Sequence, residues 1–178
     1  MRLIDAEHSG EIDLFYFDES GFSQQSHLPY AWSPKGEPLA LPCYSRSKRL
    51  NVLGFLSRKG TLLHHTTESR VNTDVVIEAF EHFIDVQPLD KLTVIYLDNA
   101  SFHRAKRFQE KCHEWLLKGL VVMYLPAYSP ELNIIEILWK KIKYEWLSCH
   151  DYITFDALKK SVKSIMDNYS SKYTITFS

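Results

Sequence analysis

The sequence predicts an α/β fold in which a mixed sheet is flanked by helices, and two observations predict it. Strands and turns come first along the chain, and then helices and strands alternate before a helical end. The 178 residues are 45% hydrophobic and 24% charged, as in an average globular domain. A chain of this length favours one domain with a sizeable core. We place that domain at residues 11–168, after a lead-in at 1–10 and before a tail at 169–178.

The first half of the chain predicts strands that are joined by turns. The predicted strands are residues 12–17, 28–32, 49–57 and 61–67. The first is an aromatic-rich apolar run that ends at Asp18 and then meets Gly21, which indicates a turn. The second precedes the turn-forming segment 33–38, and the last two flank the charged turn 58–60. These strands therefore predict two hairpins.

The second half of the chain alternates helical and strand patterns. The predicted helices run from Asn72 to the residues before Pro88, over 104–117, over Glu131–Ser148 and over 154–168. Strands are expected at 92–97 and 120–125, which are nearly continuous apolar runs. Asn72 or Thr73 is the expected cap of the first helix, and Gly119 is expected to end the second.

Composition excludes several classes of protein. The 21 Lys and Arg against 22 Asp and Glu give a net charge of -1, so no global charge favours a nucleic-acid partner. No apolar run approaches the length of a membrane span, and no signal peptide begins the chain. Cys43, Cys112 and Cys149 lack the spacing of a zinc site or a disulfide framework. We therefore expect a soluble, cytoplasmic protein with free thiols.

Two predicted strands end at a carboxylate, and a third carboxylate follows on a helix. Asp18 and Asp98 would reach the same sheet edge if their strands are neighbours that start from the same end. Glu136 lies next to the apolar stripe of the helix that follows the last strand. Three close carboxylates are chemically reasonable when divalent cations neutralise them, and oxygen-only ligands suit Mg²⁺ or Mn²⁺. Two such ions would support phosphoryl transfer on nucleic acid.

Ordinary structural roles compete with this interpretation. An aspartate after a strand is often a turn former or a helix cap. Glu136 could simply pair with Lys140 one helical turn later. Asn133, Lys140 and Lys143 share one side of the predicted helix with Glu136, which indicates either a phosphate-facing surface or a solvated basic face. Further local basic groups are Arg46, Lys48 and Arg49, then Arg58 and Lys59, and then Arg104, Lys106 and Arg107.

Motifs around the three carboxylates resemble those of a known family. FDES contains Asp18, YLDNASFH contains Asp98, and YLPAYSPELNIIEILWKKIK contains Glu136. Together with YAWSPKGEP, which contains Trp32 and Lys35, they are similar to the motifs of the DDE transposases of the mariner and insertion-sequence-630 superfamily. The third motif is the most specific, and the motifs span most of the chain.

The resemblance implies an RNase H-like fold and a metal-dependent enzyme. It implies two Mg²⁺ ions, with Mn²⁺ as an alternative, held by Asp18, Asp98 and Glu136. It also implies cleavage of DNA at element ends, followed by attack of the freed 3′-hydroxyl on target DNA. Asn99 and His103 match family positions that would orient metal ligands or DNA, although strand-to-helix capping and ordinary packing are alternative roles.

Several features depart from the family pattern. Ile134 and Ile137 replace a usual proline and a usual asparagine. Because the chain begins almost at the first expected strand, we expect a helix-turn-helix subunit or the product of an upstream reading frame to recognise the element ends. A second copy of the chain, in a homodimer, is a further candidate partner. A non-catalytic remnant that binds DNA or a partner transposase, and an unrelated metal phosphohydrolase with a small pocket, remain alternative hypotheses.

Overall fold

A five-stranded sheet forms the centre of the computed structural model, which describes residues 3–24, 35–36, 48–126 and 129–177. The strands are β1 (Ile12–Ser23), β2 (Arg49–Ser57), β3 (Leu62–Thr67), β4 (Leu92–Leu97) and β5 (Leu120–Tyr124). Their order across the sheet is β3-β2-β1-β4-β5. β1, β4 and β5 are parallel, whereas β2 runs antiparallel to both β1 and β3. The mixed sheet that the sequence predicts is therefore present.

Helices cover both faces of this sheet. They are α1 (Leu3–His8), α2 (Thr73–Val86), α3 (Lys106–Leu117), α4 (Ile135–Lys141) and α5 (Phe155–Asp167). Short 3₁₀ turns occupy Ser101–Arg104, Pro130–Leu132 and Cys149–Tyr152, and a wider π-helical turn, Ile142–Trp146, continues α4. Within the described ranges, none of the helices combines the length and the apolar character that a membrane crossing requires.

Two apolar cores lie on opposite faces of the sheet. Alternation along β1 divides its side chains between them, because Leu14 and Tyr16 face α4 and α5 while Phe15 and Phe17 face α2 and α3. Residues 14–17 are all buried, as expected for a central strand that is covered on both faces. The result is a three-layer arrangement with the sheet in the middle.

Several predicted elements are confirmed closely. β2 and β4 have the bounds that the sequence predicts. α2 begins after Asn72, whose side chain accepts a hydrogen bond from the Val75 backbone and caps the helix. Gly119 follows α3 with a φ of 90°, a conformation that favours glycine.

The first predicted turn is wrong, because β1 does not end at Asp18. It continues to Ser23, and β2 pairs with it along this whole extension. Gly21 lies inside the strand, where a Cβ atom would come within 1.9 Å of the Arg49 side chain. The glycine thus makes room for an arginine from the neighbouring strand and does not form a turn.

The predicted helix Glu131–Ser148 also needs correction. A separate 3₁₀ turn occupies its start, and α4 begins only at Ile135. Asn133 lies between the two and donates its side-chain amide to the Phe17 carbonyl, which fixes the chain against β1. After Lys141 the helix widens, and the Leu147 amide bonds back to Ile142. The predicted helix 104–117 similarly begins later, at Lys106, after a 3₁₀ turn.

Some predictions fall outside the described residues. The predicted strand 28–32, with Trp32, lies there, as does Cys43. Lys35 is described, as an exposed residue in a turn. The tail packs Tyr173, Ile175 and Phe177 against the apolar core that contains residues of α4 and α5.

Candidate active site

Parallel pairing of β1 with β4 places two aspartates at one edge of the sheet. Tyr16 pairs with Tyr96, and two residues further along each chain come Asp18 and Asp98. Asp18 is still in β1, whereas Asp98 directly follows β4. The neighbouring, same-direction strands that the sequence argument requires are therefore present. This edge is also where open α/β sheets usually carry their sites.

A glycine in β2 lets α4 approach this edge. Gly54 pairs with Asp18 across the sheet, and a Cβ atom there would lie 2.8 Å from the Trp139 ring and 2.9 Å from the Ile135 side chain. Such distances are too short for real side-chain contacts, so only glycine permits this packing. α4 consequently crosses next to Asp18, with Glu136 in its first turn.

The three carboxylates line a single cavity of about 430 Å³. Asp18, Asp98 and Glu136 contribute to its wall, together with the predicted residues Asn99 and Asn133. Arg104 adds a positive charge to the same wall. The structure thus gathers residues from β1, the end of β4 and the start of α4 around one volume.

Asp18 experiences an unfavourable environment for a negative charge. Burial, followed by the nearby carboxylates of Glu19 and Glu136, raises the pKa of Asp18 to about 8. Trp139 donates a hydrogen bond from its indole Nε1 to Oδ2 of Asp18 at 3.0 Å, which fixes the orientation of the carboxyl group. A nearby cation would favour the ionised form of Asp18.

Asp98 is held by a buried histidine that also contacts a second carboxylate. Nδ1 of His103 lies 2.9 Å from Oδ1 of Asp98, and Nε2 lies 2.9 Å from Oε1 of Glu19. Burial opposes the charged ring, but the hydrogen bonds to Asp98 and Glu19 outweigh it and raise the pKa of His103 to about 9. The His103 hydrogen bond in turn lowers the pKa of Asp98. His103 is thus a cationic bridge between two acidic side chains.

The two predicted asparagines make different contacts. Asn99 donates from Nδ2 to the Leu125 carbonyl at 2.7 Å, which ties the ends of β4 and β5 together and does not cap a helix. Asn133 is 4% exposed and donates from Nδ2 to the Phe17 carbonyl at 3.0 Å. Its Oδ1 is buried without a hydrogen-bond partner in the described part of the chain.

The two predicted lysines lie in different surroundings. Lys143 is half-buried, and its Nζ lies 5.4 Å from the centre of the Phe22 ring. Burial and Arg49 lower the pKa of Lys143, while Glu136 and Asp18 act in the opposite direction, so Lys143 lies within electrostatic range of the site. Lys140 is exposed, and no ion pair among the described residues joins it to Glu136. The ion pairs of the described residues therefore give no support to the surface-pair explanation of Glu136.

Three further residues shape this site and are not among the site residues that the sequence predicts. Glu19 follows Asp18 directly, yet its contact with His103 joins distant parts of the chain. Trp139 belongs to an apolar core and also donates a hydrogen bond to Asp18. The sequence predicts Arg104 only as part of a local basic group. Its position directly after the Asp98 motif is the sequence signal that indicates a place near the site.

The oxygen-rich wall of the cavity fits a divalent cation that keeps some of its water. Among the described residues, no three acidic, histidine or cysteine side chains stand close enough to surround one ion directly. Carboxylate oxygens nevertheless dominate the donor set, and Mg²⁺ is commonly held by one or two carboxylates while it retains several waters. Asn133, whose buried Oδ1 has no partner among the described residues, is a neutral residue of the same wall.

Comparison with known proteins agrees with this architecture. The catalytic domain of Mos1 mariner transposase is 14% identical with a TM-score of 0.59, and the match covers 93% of this chain and 75% of that chain. The Mos1 strand transfer complex gives 13% identity and a TM-score of 0.60, over 93% of this chain and 51% of that chain. The Mos1 mariner paired end complex with Mn is 14% identical with a TM-score of 0.62, and the match covers 93% of this chain and 52% of that chain. These likenesses confirm the RNase H-like fold.

The present chain spans about half the length of the Mos1 chains in those complexes. No curated protein sequence matches it significantly. A family model described as DDE superfamily endonuclease, however, matches residues 13–159, which include the three carboxylates at the cavity. On the strength of that match, the chain belongs to the DDE superfamily endonucleases.

Proposed function

We propose that residues 11–168 are the catalytic domain of a transposase that cleaves DNA at insertion-element ends and transfers the freed strand. The observation that carries this proposal is the convergence of Asp18, Asp98 and Glu136 on one cavity at the sheet edge. Membership of the endonuclease family supports phosphodiester cleavage, and the transposase neighbours support strand transfer as its outcome.

Asp18, Asp98 and Glu136 would hold two divalent ions, Mg²⁺ or alternatively Mn²⁺. The pKa of Asp18, about 8, supports this assignment, because a cation would let the carboxyl group ionise at neutral pH. Mos1 complexes with a similar fold are described with Mn and with Mg. When bound, such ions activate an attacking hydroxyl and stabilise the leaving oxygen of a phosphodiester.

The protein's own contribution is orientation of the carboxylates and positive charge beside them. Trp139 holds one oxygen of Asp18, while His103 and the Ala100 amide hold Oδ1 of Asp98. Fixed carboxylates lose less freedom when they bind a cation or a reacting phosphate. Arg104, on the cavity wall, is placed to attract the phosphate backbone.

The proposed partners are the element ends and the target DNA. We propose that Trp32, Lys35, Lys140 and Lys143 contribute to this DNA surface. Recognition of the ends would come from a helix-turn-helix subunit or an upstream frame product, and a homodimer would bring two ends together. The Mos1 neighbours, whose chains are about twice as long and include paired end complexes, support an assembly larger than this domain.

Nicking of supercoiled plasmid tests the enzymatic proposal. We expect nicking that requires Mg²⁺ or Mn²⁺, stops in EDTA and falls by at least a hundredfold in Asp18→Asn, because this change removes a negatively charged ligand. Cleavage by the catalytic domain alone should be independent of sequence. Gel quantification of nicked circles measures the rate.

Asp13→Asn is the matched control, because Asp13 lies in the same strand at its other end, where it approaches Lys59. It should nick like the wild type. Nicking that survives Asp18→Asn in pure protein would refute the assignment of Asp18. Metal binding without nicking would favour the non-catalytic remnant, and rapid hydrolysis of a small phosphodiester with DNA left intact would favour the phosphohydrolase.

A further inference from the structure

The two buried asparagines, Asn51 and Asn133, differ in their hydrogen bonds. The side-chain oxygen of Asn133, which lines the cavity, lacks a partner among the described residues. Asn51, at 7% exposure, accepts from Arg49 through Oδ1 and donates to the Ser69 carbonyl through Nδ2. Asn133, at 4% exposure, uses only Nδ2, which it donates to the Phe17 carbonyl, and its Oδ1 has no partner among the described residues. The difference marks Oδ1 of Asn133 as an acceptor that lacks its donor.

An unsatisfied buried acceptor is costly, and proteins seldom keep one without a reason. The cost is about 1–3 kcal/mol, and a bound water or ion is a common explanation. Phe17 occupies the nitrogen end of the Asn133 amide, so the buried oxygen is the end of this cavity-lining residue that is left without a partner among the described residues. Asp18, directly after Phe17, and Glu136, three residues after Asn133, line the same cavity.

The cavity wall to which Asn133 belongs is acidic, and it suits a hydrated cation. The described acidic side chains do not surround an ion directly, so an ion held here would keep water ligands. Such water ligands are strong hydrogen-bond donors, and they need acceptors in the surrounding shell. A neutral amide oxygen supplies an acceptor without adding to the repulsion that already raises the pKa of Asp18.

We infer that Oδ1 of Asn133 accepts a hydrogen bond from a water ligand of the divalent cation held by Asp18 and Glu136. This inference rests on the proposed metal site and deepens it. Asn133 is then a positioning residue that connects the cation to the backbone of β1, because its other end holds the carbonyl next to Asp18. Loss of such an outer partner typically weakens metal binding by about 10–100-fold.

Calorimetric titration with Mn²⁺ alone tests the inference. Asn133→Leu should raise the Kd for Mn²⁺ by roughly tenfold or more, since it removes the acceptor. Asn51→Leu removes a buried asparagine with both ends satisfied and should leave the Mn²⁺ Kd unchanged. Unfolding curves show whether each variant is folded. An unchanged Kd in folded Asn133→Leu would overturn the inference.

Asn133→Asp separates the acceptor from the bond to Phe17, because it keeps oxygens and loses the donating amide. It should bind Mn²⁺ at least as tightly as Asn99→Asp, which adds the same charge to the same cavity wall. If Asn133→Asp binds Mn²⁺ more weakly than Asn99→Asp does, then only the hydrogen bond to the Phe17 carbonyl matters for Mn²⁺ binding. That result would overturn the inference. This comparison does not depend on the folding of Asn133→Leu.

The titrations also distinguish the inference from the metal site on which it rests. Asp18→Asn should abolish Mn²⁺ binding. If wild-type protein does not bind Mn²⁺, or Asp18→Asn binds it normally, the proposed metal site fails. If Asp18→Asn loses binding while Asn133→Leu keeps it, the metal site stands and the role of Asn133 fails.

Discussion

His103 carries a positive charge in a place where few charged groups are tolerated. Its side chain is 1% exposed, and the rings of Phe17, Phe102 and Phe108 lie around it. Both ring nitrogens face carboxylate oxygens, so both must donate, which requires the protonated ring. The ring therefore fixes Asp98 and Glu19 at once, and its protonation links the site to the stability of the fold.

The metal-free protein should lose stability as the pH rises through the titration of His103. The folded pKa of about 9 lies above the ordinary 6.5, so the contribution is complete below pH 6.5 and is lost as the pH rises through about 9. The difference between the folded pKa of about 9 and the ordinary 6.5 corresponds to about 3 kcal/mol of unfolding free energy. Urea unfolding in EDTA from pH 6 to pH 9.5 measures it.

His103→Gln should flatten this part of the curve, because glutamine does not titrate. His150→Gln, at an exposed position in a 3₁₀ turn, is the matched control and should follow the wild type. Parallel curves for wild type and His103→Gln across pH 6.5–9 would contradict a charged bridge at this position.

At the scale of elements, the close contact between α4 and β2 places Glu136. Trp139 and Ile135 of α4 lie directly over Gly54. The same helix supplies the indole that bonds to Asp18. A change in the distance between helix and sheet therefore alters packing and the carboxylate geometry together.

Gly54→Ala should destabilise the protein by about 1–3 kcal/mol, because the new methyl group would overlap α4. It should also weaken the bond between Trp139 and Asp18, which tryptophan fluorescence would detect. Urea unfolding measures the stability. Gly21→Ala is the control, since its methyl group would meet the side chain of Arg49, which can move aside. Equal stability of Gly54→Ala and wild type would show that α4 is not held at this distance.

Element boundaries show what a local pattern can and cannot predict. The apolar runs of β2 and β4 and the cap at Asn72 are local signals, and all three predictions are confirmed. The extension of β1 past Asp18 depends on Arg49 from another strand, and the start of α4 depends on the bond between Asn133 and β1. These long-range contacts leave no periodic signal in the sequence.

At the scale of the whole molecule, the near-neutral net charge conceals local differences in surface charge. The net charge is -1, yet Arg104 lies on the wall of an acidic cavity. Its neighbours Lys106 and Arg107 are engaged with Glu110 and Asp74, whereas no ion pair of the described residues includes Arg104. Local placement, not total charge, therefore determines how the protein would meet DNA.

Arg104→Gln should weaken DNA binding similarly for all duplex sequences and lower the slope of log affinity against log salt by about 1. One fewer phosphate contact is the physical reason. Fluorescence anisotropy of a labelled duplex in EDTA, at several KCl concentrations, measures both. Lys106→Gln, at an exposed position paired with Glu110, should change the slope less. An unchanged slope in Arg104→Gln would remove this residue from the DNA surface.

The arrangement of the whole fold explains which parts of the site can be predicted from the sequence. The positions of Asp18 and Asp98 followed from two strands that share a direction, and the parallel register of β1 and β4 meets that condition. The contact between Glu19 and His103, and the free oxygen of Asn133, depend on tertiary packing that no spacing encodes. The motifs thus predict which carboxylates lie at the site, whereas the contacts that hold them, from His103 and Trp139, are seen only in the structure.

The cavity wall combines chain segments that are synthesised far apart in time. Asp18 is synthesised before β4 and β5, whereas Glu136 is synthesised only after them. Parallel pairing of β1 with β4 must wait for the intervening segments, and such non-local pairing is slow. A growing or prematurely terminated chain would therefore lack the assembled cavity, so the proposed cleavage of DNA would require a chain that has completed this fold.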